Sequence, residues 1–174
     1  TKLEDNPSAA NYHENVDRIR SKDINPHSRV EYREGIFMGY RGYEKNGVKP
    51  LFPFGYGLGY TDFALETEEV KAEFGEFTVR VKVKNTGNHP GREVVQVYAA
   101  CPQGRLDKEV KRLAGFAKTG ELLPGEAETV TVRFTAEDLA SYDEAKAAYV
   151  LEKGKYVILT GNSSEDVKAA AVYE

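Results

Sequence analysis

Residues 77–84 alternate strictly between apolar and polar side chains, with Phe or Val at every second position. Successive side chains of a strand point to opposite faces, so this period of two is typical of a strand buried on one face. Clustered turn-forming residues at 85–91 end the pattern, and strand character returns at 93–100 and 128–135. This repetition predicts an all-β domain.

The remaining sequence between residues 65 and 172 is consistent with the same fold class. Strand character is also present in five further segments, at 65–74, 111–118, 148–152, 155–160 and 167–172. Turns are predicted between strands at 123–126, 152–154 and 161–164. Residues 136–139 predict one helical turn capped by Thr135. Seven or eight short strands at this spacing favour a β-sandwich.

The N-terminal residues 1–29 contain few apolar side chains and no sustained period, with turn signals at 6–8 and 25–27. We predict an extended arm that lies on another surface, or is partly disordered where that surface is absent. The polar start without Met indicates that the chain begins within a longer protein or after processing. Residues 34–40 predict a short strand or a turn, and residues 45–47 a tight turn.

The segment 50–63, which we call the connector, packs five aromatic residues, two prolines and three glycines into fourteen positions. No amphipathic helix or alternating strand has this composition. Pro53 fixes its own φ, and the glycines allow another backbone to approach closely. The large apolar side chains need burial. We predict an irregular connector wedged between two packed bodies, one of them the sandwich.

Composition excludes several classes of protein. The formal net charge is −4, and Lys and Arg are scattered among Asp and Glu, so neither nucleic acid nor an anionic membrane is an expected partner. No apolar run is long enough to cross a bilayer. The single Cys excludes an internal disulfide and a Cys-rich metal site, and it is compatible with cytosolic or reducing surroundings. The absence of Trp counts against a stand-alone sugar-binding module built on Trp platforms.

Two stretches, 34–44 and 50–63, closely resemble the C-terminal region of glycoside hydrolase family 3 β-glucosidases, in which the connector joins an α/β sandwich domain to a fibronectin type III-like domain. Weaker similarities to the same region are present at 3–7, 112–116, 123–126, 154–156 and 161–164. Four residues depart from the family pattern, namely Gly42, Glu44, Gly59 and Tyr149. These departures leave the family assignment intact but put the substrate specificity in doubt.

The resemblance implies a fibronectin type III-like, immunoglobulin-like β-sandwich at 61–174. It also implies that residues 1–60 comprise the C-terminal arm of the preceding α/β sandwich domain and the connector. Family members look like retaining β-glucosidases, with an Asp nucleophile from a (β/α)8 barrel and a Glu acid/base from the α/β sandwich. No residue of this chain matches either carboxylate, so the chain alone is expected to be non-catalytic.

For the whole protein, the resemblance implies hydrolysis of terminal β-D-glucosides or related β-glycosides, with no cofactor. No catalytic, substrate-binding, cofactor-binding or metal-binding residue is assigned to this chain. The expected partners are the barrel and the α/β sandwich domain. The sequence leaves open whether these lie on a separate chain, whether the barrel precedes or follows, whether the enzyme is a homo-oligomer, and whether it is cytoplasmic or secreted.

Glu31 and Glu34 are the carboxylates that could be interpreted as a catalytic pair. General acid catalysis needs a desolvated carboxyl group, whereas Arg29, Arg33 and Arg41 lie close by in the sequence. We therefore predict that these carboxylates are neutralised at a domain interface.

Cys101 with His89 or His27 could be interpreted as a thiol nucleophile and its base. Nothing in the sequence places them together, and a lone Cys at the end of an apolar strand is typical of a small core residue. The three histidines, including His13, fit no spacing that is typical of a metal site.

Six aromatic side chains in and before the connector could stack on sugar rings, namely Tyr40, Tyr43, Phe52, Phe54, Tyr56 and Tyr60. We favour interdomain packing for them. Residues 162–164 match a glycosylation acceptor, although a turn is the preferred interpretation.

A second functional hypothesis is an independent β-sandwich module that binds carbohydrate or protein without catalysis. A solvent-exposed planar row of tyrosines on the sandwich would favour it. Burial of the connector aromatics against a second polypeptide would favour the enzyme segment. Exposure of so many large apolar side chains invites association, which argues against an independent module.

Overall fold

The computed structural model describes residues 32–174, and the predicted arm at 1–31 lies outside this part. The chain divides into two compact units, one up to Pro50 and one from Leu51 to Glu174. The predicted domain boundary between residues 60 and 61 stays a prediction.

The described part of the first unit contains a turn and one short helix. The amide of Phe37 donates to the carbonyl of Glu34 at 3.0 Å, and helix α1 spans Tyr40–Lys45. A turn is therefore present within 34–40, and the alternative prediction of a strand was wrong. A Cβ at Gly42 would lie 2.4 Å from the Phe37 carbonyl oxygen, so the turn and helix approach closely at this glycine. The helix was missed because six residues are too few to show a helical period.

One sheet of the second unit has three antiparallel strands. These are β1 (Phe63–Glu73), β2 (Glu76–Asn85) and β5 (Ala127–Thr135), in the order β1-β2-β5. The alternating segment 77–84 lies within the central strand. Its burial alternates as well, so one face of the sheet is directed into the core.

The other sheet has four antiparallel strands. These are β3 (Val94–Ala100), β4 (Arg112–Lys118), β8 (Tyr156–Gly161) and β9 (Val167–Tyr173), in the order β4-β3-β8-β9. A separate hairpin is formed by β6 (Ser141–Asp143) and β7 (Ala148–Val150). The predicted helical turn is present as a 3₁₀ turn at Glu137–Leu139, and the Asp138 amide lies 3.4 Å from Thr135 Oγ1.

The core lies between the two sheets. The three-stranded sheet contributes fully buried valines at 79, 81 and 83, and the four-stranded sheet contributes Val95, Val97 and Ile158. Burial of each such side chain contributes about 1.5–3 kcal/mol. Phe77 and Phe134 stack at 4.7 Å between ring centroids on adjacent strands. The predicted all-β sandwich is thus confirmed. None of the helices among residues 32–174 is long and apolar enough to span a membrane.

Candidate functional site

The connector is held against the four-stranded sheet by close backbone contacts. The carbonyl of Phe54 accepts a hydrogen bond from the amide of Ser164 at 2.8 Å. At Gly55, φ is +85°, and a Cβ there would lie 1.9 Å from Nε2 of Gln96. Only glycine combines this backbone conformation with so close an approach. The connector therefore covers the outer side of strand β3 at Gln96.

Strand β3 is consequently buried on both faces near its middle. Gln96 and Tyr98 point away from the core, yet their exposed fractions are only 5% and 0%. The Tyr98 hydroxyl donates to Gln96 Oε1 at 2.5 Å, and Gln96 Nε2 donates to the carbonyl of Asn162 at 2.8 Å. These bonds satisfy the polar groups that the connector removes from water, as buried polar groups require.

A second anchor lies where the connector enters strand β1. The Thr61 hydroxyl donates to Asn85 Oδ1 at 2.6 Å, and Asn85 is fully buried. Asn85 Nδ2 donates to the carbonyls of His89 and Leu122 at 2.8 and 2.9 Å, and its Oδ1 also accepts from the Gly87 amide at 3.1 Å. One amide side chain thus joins the connector to two turns of the sandwich.

Apart from these anchors, the connector exposes its large apolar side chains to solvent. We call this set the connector face, and it comprises Leu51, Phe52, Phe54, Tyr56, Leu58 and Tyr60. Their exposed fractions range from 48% for Tyr56 to 95% for Leu51. Phe116 on β4 is 69% exposed and is the register partner of Gln96, which adds an apolar side chain on the connector's side of the sheet. So many exposed large apolar side chains in one short segment favour an interaction surface.

An ionic cluster fixes the loop between β3 and β4. Lys108 Nζ is hydrogen bonded to the Glu152 carboxylate and donates to the Pro102 carbonyl at 2.9 Å, while the Lys108 side chain is only 1% exposed. The hydrogen bond from Lys108 lowers the pKa of the Glu152 carboxyl. Arg105 likewise pairs with buried Asp143 of the β6–β7 hairpin. These pairs are structural, because each buried charge has a partner.

The thiol candidate Cys101 is a buried residue at the edge of the core. Its Sγ donates to the Leu139 carbonyl at 3.8 Å. Burial raises the pKa of the Cys101 thiol, although the Arg112 guanidinium opposes that shift. A raised pKa reduces the thiolate fraction, so this Cys lacks the environment of a nucleophile. His89 lies in the turn after β2, and His13 and His27 lie outside the described residues.

The remaining candidates from the sequence are the carboxylate pair, the glycosylation acceptor and the metal ligands. Glu31 lies outside the described residues, so the neutralised pair with Glu34 stays a prediction. Asn162 Nδ2 lies 3.4 Å from Glu93 Oε2, and the two following serines are buried in a bend. This supports a turn rather than a glycosylation site. Within 32–174, no group of three or more His, Cys, Asp or Glu side chains could hold a metal ion.

A cleft of about 520 Å³ opens beside strands β1, β8 and β9. Glu68 and Glu69 line it, next to an irregularity in the register of β1. Glu68 lies 3.7 Å from Arg80, and Glu69 lies 3.1 Å from Lys71. A glycosidase acid needs a desolvated carboxyl with a raised pKa, whereas these side chains are one-third exposed and paired with cations. Glu68 and Glu69 therefore lack the desolvated setting that a glycosidase acid needs.

Comparisons with known proteins agree with the fold. The family described as fibronectin type III-like domain matches residues 93–164. β-Glucosidase A of Butyrivibrio fibrisolvens is 40% identical over 189 residues, which cover 96% of this chain and 21% of that protein. The chain thus spans about a fifth of the length of the curated relatives it matches.

Solved structures of β-glucosidases are also similar to this chain. A β-glucosidase from Paenibacillus barengoltzii is 38% identical with a TM-score of 0.84, over 98% of this chain and 18% of that one. The Kluyveromyces marxianus β-glucosidase in complex with glucose is 40% identical with a TM-score of 0.80, over 84% of this chain and 18% of that one. This chain therefore matches, over nearly its whole length, the C-terminal part of much longer glycoside hydrolase family 3 enzymes, and it contains a fibronectin type III-like domain.

Proposed function

We propose that this chain is the C-terminal structural segment of a retaining β-glucosidase that hydrolyses terminal β-D-glucosides or related β-glycosides. A retaining mechanism requires two carboxyl groups about 5–5.5 Å apart, one as nucleophile and one as acid/base. The catalytic Asp and Glu are supplied by a barrel and an α/β sandwich domain outside this chain. Those domains are its partners, and the β-glycoside binds to them.

The single observation that supports this role is the connector face. Six large apolar side chains are about half or more exposed, although the backbone that carries them is anchored at Gly55 and Thr61. Apolar area removed from water contributes about 25 cal/mol per Å², so a rigid apolar surface is stabilised by a partner that covers it. The catalytic domains are the partner that we propose.

In this role the chain supports catalysis without touching the substrate. A displacement of about 1 Å in a catalytic group can reduce the rate roughly a hundredfold. A sandwich that clamps the barrel and the α/β domain together would hold the two carboxylates at working distance. The chain is then needed for activity although it contributes no reacting group.

The test compares the native mass of the purified material with its denaturing gel, together with hydrolysis of an aryl β-glucoside. We expect the 174-residue segment to be covalently joined to, or to co-purify with, a larger polypeptide, and the assembly to be active. A compact, inactive monomer whose connector is protected from proteolysis would overturn the proposal. The alternative of an independent binding module would then be the function to test.

A further inference from the structure

An aromatic pair lies on the β6–β7 hairpin, a place in the fold that the proposed scaffold role does not use. Tyr142 and Tyr149 are directly opposite each other across the two strands. Their ring centroids are 5.3 Å apart, with 67° between the ring planes. Tyr142 is 51% exposed and Tyr149 is 75% exposed, so both rings reach solvent.

On strand β6 the side chains of the opposite face are buried and held by hydrogen bonds. Asp143 is 1% exposed, pairs with Arg105 and accepts from the Ala145 amide at 3.1 Å. The guanidinium of Arg112 donates to Ser141 Oγ at 2.9 Å. The hairpin backbone is thus fixed, and a ligand would lose little entropy in ordering the two rings.

We propose that the exposed Tyr149 ring, packed edge-to-face against Tyr142, forms a platform that binds a β-linked glucose chain. A β-glucose ring has equatorial hydroxyl groups, which leave an apolar C–H face that packs on an aromatic ring, while the tyrosine hydroxyls reach the polar edge. The choice of a glucan rests on the proposed β-glucosidase function. The site is separate from the catalytic carboxylates, and it would bring a polymer to the enzyme.

The size of the patch favours a sugar over a protein. Only Leu151, 47% exposed, adds a large apolar side chain near Tyr149 along the chain, and the hairpin turn contributes exposed Glu144 and Lys146. A stable protein interface buries about 800 Å² on each partner and needs about 20–30 residues. One or two aromatic rings surrounded by charged residues are too small for a stable protein interface, but they are large enough to contact one or two sugar units.

The experiment is affinity electrophoresis of the 174-residue chain in native gels that contain hydroxyethylcellulose, a soluble β-linked glucan. We expect the polymer to retard the chain, and dextran, an α-linked glucan, to leave its mobility unchanged. Tyr149→Ala should weaken retardation at least tenfold, and Tyr149→Phe should retain most of it. Phe74→Ala is the matched control, because Phe74 is a fully exposed aromatic residue in a different hairpin.

Two outcomes would overturn the platform: no retardation of the wild-type chain, or equal retardation of Tyr149→Ala and wild type. If Tyr149→Ala does not fold, magnetisation transfer from cellopentaose to the Tyr149 ring protons in the wild-type chain decides the question. A negative result in these binding experiments does not contradict the proposed function, because hydrolysis of an aryl β-glucoside does not require binding of a polymer. If the β-linked polymer retards the chain but the purified material does not hydrolyse an aryl β-glucoside, only the proposed enzymatic role is contradicted.

Discussion

At the scale of single residues, Gly55 is the position that most directly joins the connector to the sandwich. A residue with a side chain at this position would have to adopt a φ of +85°. Its Cβ would also displace the end of the Gln96 side chain, which hydrogen bonds to Tyr98 and Asn162 hold in place. We predict that Gly55→Ala lowers the free energy of unfolding by about 1–3 kcal/mol. Urea unfolding of the full chain measures this loss.

The matched control for this prediction is Gly57→Ala. Gly57 has no heavy atom within 4 Å of a Cβ position, and its φ is not in the left-handed region. We expect the free energy of unfolding of this variant to stay within about 0.5 kcal/mol of wild type. Equal stability of the two variants would contradict the tight contact at Gly55.

Asn85 is the second residue on which the connector depends. Its amide takes part in four hydrogen bonds while fully buried, and each buried polar group left without a partner costs about 1–3 kcal/mol. We predict that Asn85→Ala lowers the free energy of unfolding by at least about 2 kcal/mol. Asn88→Ala, at an exposed position in the same turn, should have little effect in the same denaturation assay.

At the scale of elements, the loop between β3 and β4 depends on the pair of Lys108 and Glu152. The lowered pKa of Glu152 means that the folded state holds this carboxyl in its charged form more strongly than the unfolded chain does. Its contribution is therefore present above the ordinary Glu pKa of 4.5 and is lost as the pH falls through the lower folded pKa.

Glu152→Gln tests this contribution through its pH dependence. We predict that the variant is less stable than wild type at neutral pH, because buried Lys108 loses its charged partner. The difference in melting temperature should shrink as the pH falls below the ordinary Glu pKa of 4.5, since protonation of Glu152 in the unfolded wild-type chain then reduces the contribution of the ion pair to stability. A difference that stays constant between neutral and acidic pH would contradict the role of this ion pair.

The elements also differ in how far local sequence predicts them. The sequence predicts strands β2 and β5 within one residue of their observed ends, because an alternating pattern marks a half-buried strand. Strand β6, with three residues, was missed, and the predicted strand at 148–152 ends at Val150. Their positions are set by Arg105 and Arg112, which are distant in sequence.

At the scale of the whole molecule, the connector face is the surface on which the proposed function depends. We predict that Leu58→Ser with Phe52→Ser leaves the stability of the isolated chain within about 0.5 kcal/mol, because both side chains are mostly exposed. In the complete enzyme the same changes should reduce aryl β-glucoside hydrolysis at least tenfold. Phe74→Ser, an exposed change away from this face, serves as the control. Full activity of the double variant would contradict the clamp.

The amino-acid sequence alone is enough to predict the all-β class, the main turns and the similarity to the C-terminal part of family 3 β-glucosidases. These depend on local patterns, namely alternation at 77–84, turn-forming residues at 85–91 and the composition of the connector. Each pattern is contained within about fourteen consecutive residues, so neighbouring side chains are enough to reveal it.

The side of the sheet that the connector covers, and the aromatic residues that stay exposed, depend on contacts between distant parts of the chain. Gln96 and Asn162 are 66 residues apart, and Arg105 and Asp143 are 38 apart, yet each pair is in direct contact. No local pattern encodes such contacts, because Gln96 becomes buried only when the connector lies on the outer side of the four-stranded sheet. The same reason explains why the sequence did not predict the exposed pair of Tyr142 and Tyr149, which depends on the register of two short strands.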